Sequence, residues 1–533
     1  MTRREFLSRS AAAALGGWVL SGCARRTRVV RILWTNDTHG QLLPVYHREP
    51  NGPEFLEAYG IPKGSAEAYV ASSWDYLELA RRYGKVGGYA YLAGLIRRER
   101  AAYPERTLLL DAGDAWYGSA IGLLTDGRAI VQVMNAMGYD AMTLHWEFNL
   151  GKDALLARVR EASFPVLAQN LVDTEFEDRV LKASMVKELD GIRVAVVGQA
   201  YPFSLLTTER RDANPGWRMG YREEALQEEI HRVRKQEGAQ LVILLSHMGY
   251  PQDRFFAERL EGVDVIVGGH THDILWRPVQ VGRTLVVQAG SHGKLLGRLD
   301  VEFSGGKVVD YRHALIPVLP GQVEPDPRVA ELIERLYEPY RAVLGQVIGE
   351  SRSLLYRREL FGGPTDAFLA SAYREIVGAE LGCVPGWRFG TTILPGPFTV
   401  EDVYNAMKPT PSPLYRARLR GRSIRLAIED NLDNVFHPDP LQRLGGDVLR
   451  CAGMRVWFRR GSARGKRVLR AEVNGNPLEE DRAYAVATSG GRTQYLDPKA
   501  EATRRPAVEE VIRYVRDRGV IQAKRPETFV EVS

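Results

Sequence analysis

The chain has 533 residues, 44% of them hydrophobic and 26% charged, a globular mixture that excludes wholesale disorder, a coiled coil and a fibrous repeat. Its formal charge is +6 with the basic residues spread along the chain, and no Lys/Arg block interleaved with aromatics points to nucleic acid. Three cysteines, Cys23, Cys383 and Cys451, exclude a disulfide scaffold and a thiolate zinc cluster, and leave open whether Cys383 and Cys451 pair.

Residues 1–23 read as an address. The pair Arg3-Arg4 followed by Phe6-Leu7, then a short apolar run from Ala11 to Leu20, resembles a twin-arginine export signal. Leu20-Ser21-Gly22-Cys23 resembles a bacterial lipobox. The expectation is a periplasmic protein that arrives folded and touches a membrane only if Cys23 is lipidated.

From 28 to about 320, short β-branched runs alternate with helix-patterned stretches, which predicts an α/β unit. Strands are expected at Val29–Trp34, Thr107–Leu110, Ala141–Leu144, Val194–Val197, Leu241–Leu245, Val263–Val267 and Thr284–Gln288, with helices including Tyr89–Ala101 and Arg222–Gln236. Residues 46–84 read as an insertion after the first strand, of a size that often shapes a pocket. Residues 321–347 contain a Pro/Gly-punctuated linker and a periodic helix from Val329 to about Leu344, and 348–533 form a second unit of mixed pattern.

The chemistry-bearing residues fall just beyond the strands. Asp37 and His39 follow the first, Asp114 the second and His145 the third; His247 ends Leu-Leu-Ser-His, and His270 and His272 end Gly-Gly-His-Thr-His. Strand C-terminal ends of an α/β sheet converge on one edge, where ligand sites form. Two carboxylates and five imidazoles make a nitrogen/oxygen donor set for Mn, Zn, Fe or Co. Seven such donors suit two ions about 3.5–4 Å apart, with an aspartate such as Asp114 between them. Any one of these residues alone reads equally well as a turn or cap residue; seven at matching strand ends do not.

Asn36-Asp37-Thr38-His39-Gly40, Gly113-Asp114, His247 and Gly269-His270-Thr271-His272 together resemble the calcineurin-like metallophosphoesterases, and the linker helix with a following unit resembles the 5′-nucleotidase family. The resemblance implies a layered α/β sandwich metallophosphoesterase domain (28–320), a linker helix and a C-terminal 5′-nucleotidase-type substrate domain (348–533). One segment departs from the family pattern Gly-Asn-His-Glu-Phe-Asp: here it reads Leu144-His145-Trp146-Glu147-Phe148-Asn149. His145 can still ligate, but Trp146 replaces the family's acting His and Asn149 its Asp partner, and a Trp can neither exchange a proton nor carry an imidazolium's charge. The base-binding loop is reduced to Ser489-Gly490-Gly491-Arg492.

This variant set, the insertion and the export signal resemble the SoxB thiosulfohydrolases of bacterial sulfur oxidation. That resemblance implies a dimanganese hydrolase that cleaves a cysteine S-thiosulfonate on the SoxYZ carrier and releases sulfate, with a hydroxide generated by the two ions as nucleophile. Asp114, His145, Trp146 and Arg388 are the expected catalytic residues. Trp387, Arg388 and His292 are expected to meet substrate, although Arg388 reads equally as an exposed turn and Trp146 as a core residue. A periplasmic 5′-nucleotidase or phosphodiesterase is the alternative.

Overall fold

A computed structural model describes residues 27–208, 211–304, 306–407, 410–489, 497 and 499–532. The export segment 1–23 and the Gly490–Arg492 part of the reduced loop lie outside the described residues.

Alternation along the strands decides the layering of the N-terminal part. In Arg28–Thr35, the side chains of Val30, Ile32 and Trp34 share one face and Leu33 takes the other. The strand runs parallel to Thr107–Asp111, which runs parallel to Ala141–Met142; on its other side it pairs antiparallel with Leu295–Ser304, and that strand with Lys307–Pro317. A second sheet runs in the spatial order Val279–Val281, Thr284–Val287, Val265–Val267, Leu241–Ser246, Ile192–Gln199, Ser184–Leu189, and its four middle strands are parallel. Val30, Ile32, Trp34, Leu108 and Leu110 from the first sheet meet Val194, Val196, Ile243 and Leu245 from the second in one buried core. Helices Tyr89–Ala101 and Arg128–Met137 cover the outer face of the first sheet, and Glu223–Lys235 and Tyr250–Arg259 that of the second. The result is the layered α/β sandwich expected from the sequence.

The Leu295–Pro317 hairpin is absent from the expected strands because charge interrupts its apolar run. Arg298, Asp300 and Glu302 alternate with apolar residues along Leu295–Ser304, and Asp300 is answered by buried Arg31, whose Nε donates to Asp300 Oδ1 at 2.6 Å. The insertion at 46–84 is not a bare loop either. It folds as three short helices, Pro53–Tyr59, Ala66–Ala71 and Tyr76–Tyr83, with Tyr69 and Tyr76 buried.

A helix from Pro327 to Leu344 starts where proline is tolerated, after Asp326, whose carboxylate accepts from the Arg328 and Val329 N–H groups. Its buried stripe, Val329, Ile333, Tyr337 and Leu344, packs against Tyr89–Ala101 and Arg128–Met137. The chain then enters a C-terminal part centred on a five-stranded sheet ordered Arg450–Ala452, Leu381–Val384, Ala483–Ser489, Pro413–Arg420, Glu501–Pro506, flanked by helices including Pro364–Ile376 and Gly421–Phe436.

Cys383 and Cys451 sit opposite each other on adjacent antiparallel strands of that sheet and form a disulfide across 68 residues. The question the sequence leaves open is thereby answered. The bond suits an oxidising compartment. Closing a loop of that size restrains the unfolded chain, so Cys383→Ser/Cys451→Ser is expected to lose about 2–4 kcal/mol of stability. Urea unfolding of the double variant against the oxidised parent checks it.

Candidate metal centre

Each expected ligand leaves the C-terminal end of a strand into a tight loop. Residues Asp37, His39, Asp114, His270 and His272, with His292 beside them, all take positive φ, and they make up half of the non-glycine residues that do so among the described residues. For such residues that conformation is strained and persists only where surroundings fix it. The surroundings here do. Asp37 accepts the His270 N–H at 3.0 Å and the Asn36 side chain at 2.7 Å, and its carbonyl takes the His292 N–H at 2.8 Å. Glu147 accepts three backbone N–H groups, from His145, Ala115 and Trp116. Gly113 has no room for a side chain, because a Cβ would lie 2.8 Å from His247 Nδ1.

These loops gather all seven expected donors. Asp37, His39, Asp114 and His272 form one group, and His145, His247 and His270 another, with donor atoms in each within 4.8 Å of one another. His272 Nε2 is 3.2 Å from Asp37 Oδ1 and 3.1 Å from His39 Nε2. His247 Nε2 lies 3.4 Å from Asp114 Oδ2 and 3.6 Å from Asp37 Oδ1, so Asp114 stands between the two groups.

The donor set fits two ions. His247 offers Nδ1 to the Ala112 carbonyl, which turns Nε2 inward, and Nε2 of both His247 and His270 is buried with no hydrogen bond among the described residues. His145 is oriented the same way, its Nδ1 3.1 Å from Ser204 Oγ. Ligating imidazoles are held through their second nitrogen in this manner. Burial, with the neighbouring positive groups, holds His39, His270 and His272 below the usual imidazole range, and so in the neutral form that binds metal. Burial opposes a charge on His247, yet Asp114 and Asp37 push it up to about 10. Burial raises the Asp114 carboxyl to about 7 against the pull of His247. The centre is therefore a place where carboxylates seek positive charge.

The expected substrate residues stand around one side of this cage. Trp146 is half-buried, its ring 4.7 Å from His39 and 5.2 Å from Phe389, and it also packs against the neighbouring core cluster. Asn149 turns back to its own loop, donating to the Trp146 carbonyl at 2.9 Å. The Arg388 side chain is 19% exposed, lies 3.8 Å from Asp447, and its charge bears on both His270 and His272; it is not an exposed turn. Trp387 meets Trp146 edge-on at 6.4 Å. His292 is buried and stacks on His47 at 3.9 Å.

Several neighbours were not foreseen. Phe389 packs on His39, and Tyr201 stacks on His270 at 4.1 Å. Glu49 from the insertion is buried between Lys294 and Arg358, accepting from Arg358 Nε at 2.7 Å, while Arg358 Nη2 donates to the His272 carbonyl at 2.8 Å. This ion cluster ties the insertion and the C-terminal part to the ligand loop. One carboxylate serves two buried cations, so Glu49→Gln is expected to cost about 3–5 kcal/mol, and more than Arg358→Met, which leaves the Lys294–Glu49 pair balanced. Urea midpoints of the two variants give the order.

Residues 347–497 match the family model for the 5′-nucleotidase C-terminal domain. The chain is 29% identical over 441 residues to the trifunctional nucleotide phosphoesterase YfkN of Bacillus subtilis, spanning 72% of this chain but 29% of that protein. It is 31% identical over 273 residues to the 5′-nucleotidase of Bos taurus, 46% of each. Among solved structures, the sulfate thiohydrolase SoxB of Thermus thermophilus superposes with a TM-score of 0.90 at 33% identity, covering 95% of this chain and 97% of that one. A 5′-nucleotidase precursor, also from Thermus thermophilus, shares the fold, at a TM-score of 0.80 and 24% identity over 95% of this chain and all of the other.

Proposed function

We propose, for a chain that belongs to the 5′-nucleotidase and calcineurin-like metallophosphoesterase superfamily, that it is a thiosulfohydrolase: a periplasmic hydrolase that cleaves the S–S bond of a cysteine S-thiosulfonate carried by a SoxYZ-type protein and releases sulfate. The observation that carries this reading is position 146. A tryptophan that neither donates a proton from an imidazole nor bears its charge stands against His39, where the phosphoesterase pattern places a histidine. The 33% identity to a sulfate thiohydrolase over nearly the whole chain supports it, and the disulfide favours an exported protein.

Two divalent ions, manganese in this reading, supply Lewis acidity and acidify a water molecule when bound. The protein's own residues do the rest. Asp37, His39, Asp114 and His272 on one side, and His145, His247 and His270 on the other, would hold the ions, and Asp114 lies within 3.4 Å of His247 across the two groups. Arg388 brings a fixed positive charge toward the sulfonate, and Trp146, Trp387 and Phe389 line an aromatic wall that limits water. In the reaction R–S–S–SO3⁻ + H2O, the water oxygen bonds to the sulfonyl sulfur, the S–S bond breaks, and its electron pair leaves on the persulfide R–S–S⁻. The sulfonyl sulfur departs as sulfate, the two water protons pass to solvent, and no external oxidant or reductant is needed. A persulfide is more acidic than a thiol of pKa about 8.5, so it departs without an acid at position 146. An alkoxide leaving from a phosphoester lacks that advantage.

The nucleotidase reading rests on the matched C-terminal domain and on the mammalian relative. Protein reconstituted with Mn separates the two. Sulfate release from a thiosulfonate-bearing carrier without phosphate release from AMP is expected, and Trp146→His is expected to raise phosphate release by about tenfold or more. Phosphate without sulfate from the parent protein would return the chain to the nucleotidases.

A further inference from the structure

Tyr201 follows the strand Ile192–Gln199, in the same position relative to its strand that the ligands occupy relative to theirs. Its backbone N–H donates to the Leu144 carbonyl at 3.1 Å, one residue before His145. Its ring is sandwiched by ligands: stacked on His270 at 4.1 Å and 19°, and edge-on to His145 at 4.3 Å. The residue is 1% exposed, and its hydroxyl is buried without a hydrogen bond among the described residues. Leaving a buried hydroxyl unsatisfied costs about 1–3 kcal/mol, so a site that keeps one has a use for it.

The surroundings of that hydroxyl locate the use. A Cβ built on Gly445 would lie 2.3 Å from His270 Nε2 and 3.3 Å from Tyr201 Oη. The inward nitrogen of a ligand and the orphan hydroxyl therefore face the same gap, roofed by a glycine at positive φ that leaves it open. The positive charge of Arg388 acts on both Tyr201 and His270 from the C-terminal side. A donor hydroxyl and a guanidinium beside the metal-facing nitrogen of His270 would meet the oxygens of a tetrahedral oxyanion centre held at that end of the metal centre.

We propose that Tyr201 is a catalytic residue whose hydroxyl donates a hydrogen bond to an oxygen of the sulfonyl group as the water oxygen bonds to its sulfur. The assignment rests on the thiosulfohydrolase reading for the identity of that group; a phosphoryl oxygen would take the same bond if the substrate were a phosphoester. With the imidazole of the phosphoesterase pattern replaced by Trp146, the phenol supplies a neutral donor from beside His145.

Tyr201→Phe tests this directly, because it keeps the ring on His270 and removes only the oxygen. The Mn-reconstituted full chain and the variant are compared for sulfate release from the carrier thiosulfonate and for phosphate release from AMP, together with metal content and melting temperature. The expected result, on whichever substrate the parent turns over, is a kcat about 100-fold lower, with KM changed little and metal content and melting temperature those of the parent. A kcat within twofold of the parent overturns the assignment, as does a loss of metal that accounts for the lost activity. A parent that releases phosphate and no sulfate defeats the functional reading, and the ratio of variant to parent on AMP still decides the role of Tyr201.

Discussion

Two buried carboxylates, Asp37 and Asp114, set the terms for the rest of this molecule. Burying an ionised carboxylate is costly unless positive charge or several donors answer it. Here the answer comes from loops at the ends of five strands in two sheets, which bring five imidazoles around the pair. The strained backbone of the ligand loops is the price of aiming those side chains at one point. Backbone hydrogen bonds to Asp37 and Glu147 hold the loops in that strain. Asp114 and Asp37 push the His247 imidazole up to about 10 against its burial, which shows how strongly the pair draws positive charge.

The C-terminal part is fastened to this centre from two directions. The Glu49–Lys294–Arg358 cluster grips the backbone of the His272 loop, and Arg48 of the insertion pairs with Glu359 at 3.1 Å. From the other side come Trp387, Arg388 and Phe389, together with the turn at Gly445 that lies over His270. The metal cage and the substrate-facing groups thus come from different parts of the chain, so loops in the C-terminal part can change what is hydrolysed while the cage stays as it is.

Much of this was legible before any coordinates. Apolar runs followed at once by Asp or His mark strand ends, and the two-layer core follows from the side-chain alternation of strands such as Arg28–Thr35. All seven donors could be named because each follows a strand's apolar run, most of them beside a glycine. What stayed hidden depends on long-range meetings. Glu49 and Arg358 are 309 residues apart, and neither carries a local sign of burial. His47 lies in an insertion whose polar composition concealed three helices, and Tyr201 reads locally as an aromatic beside a turn. Phe389 adjoins Arg388, and adjacency to a named residue was the one available hint.

The chemistry proposed for the site presupposes that Asp114 joins two metal positions. The most direct measurement is metal content per chain after Mn reconstitution, with electron paramagnetic resonance to detect coupling between ions, in the parent protein and in Asp114→Asn. The account requires two coupled ions per chain in the parent, and no coupled pair in the variant. One uncoupled ion in the parent, or a coupled pair that survives Asp114→Asn, would contradict it.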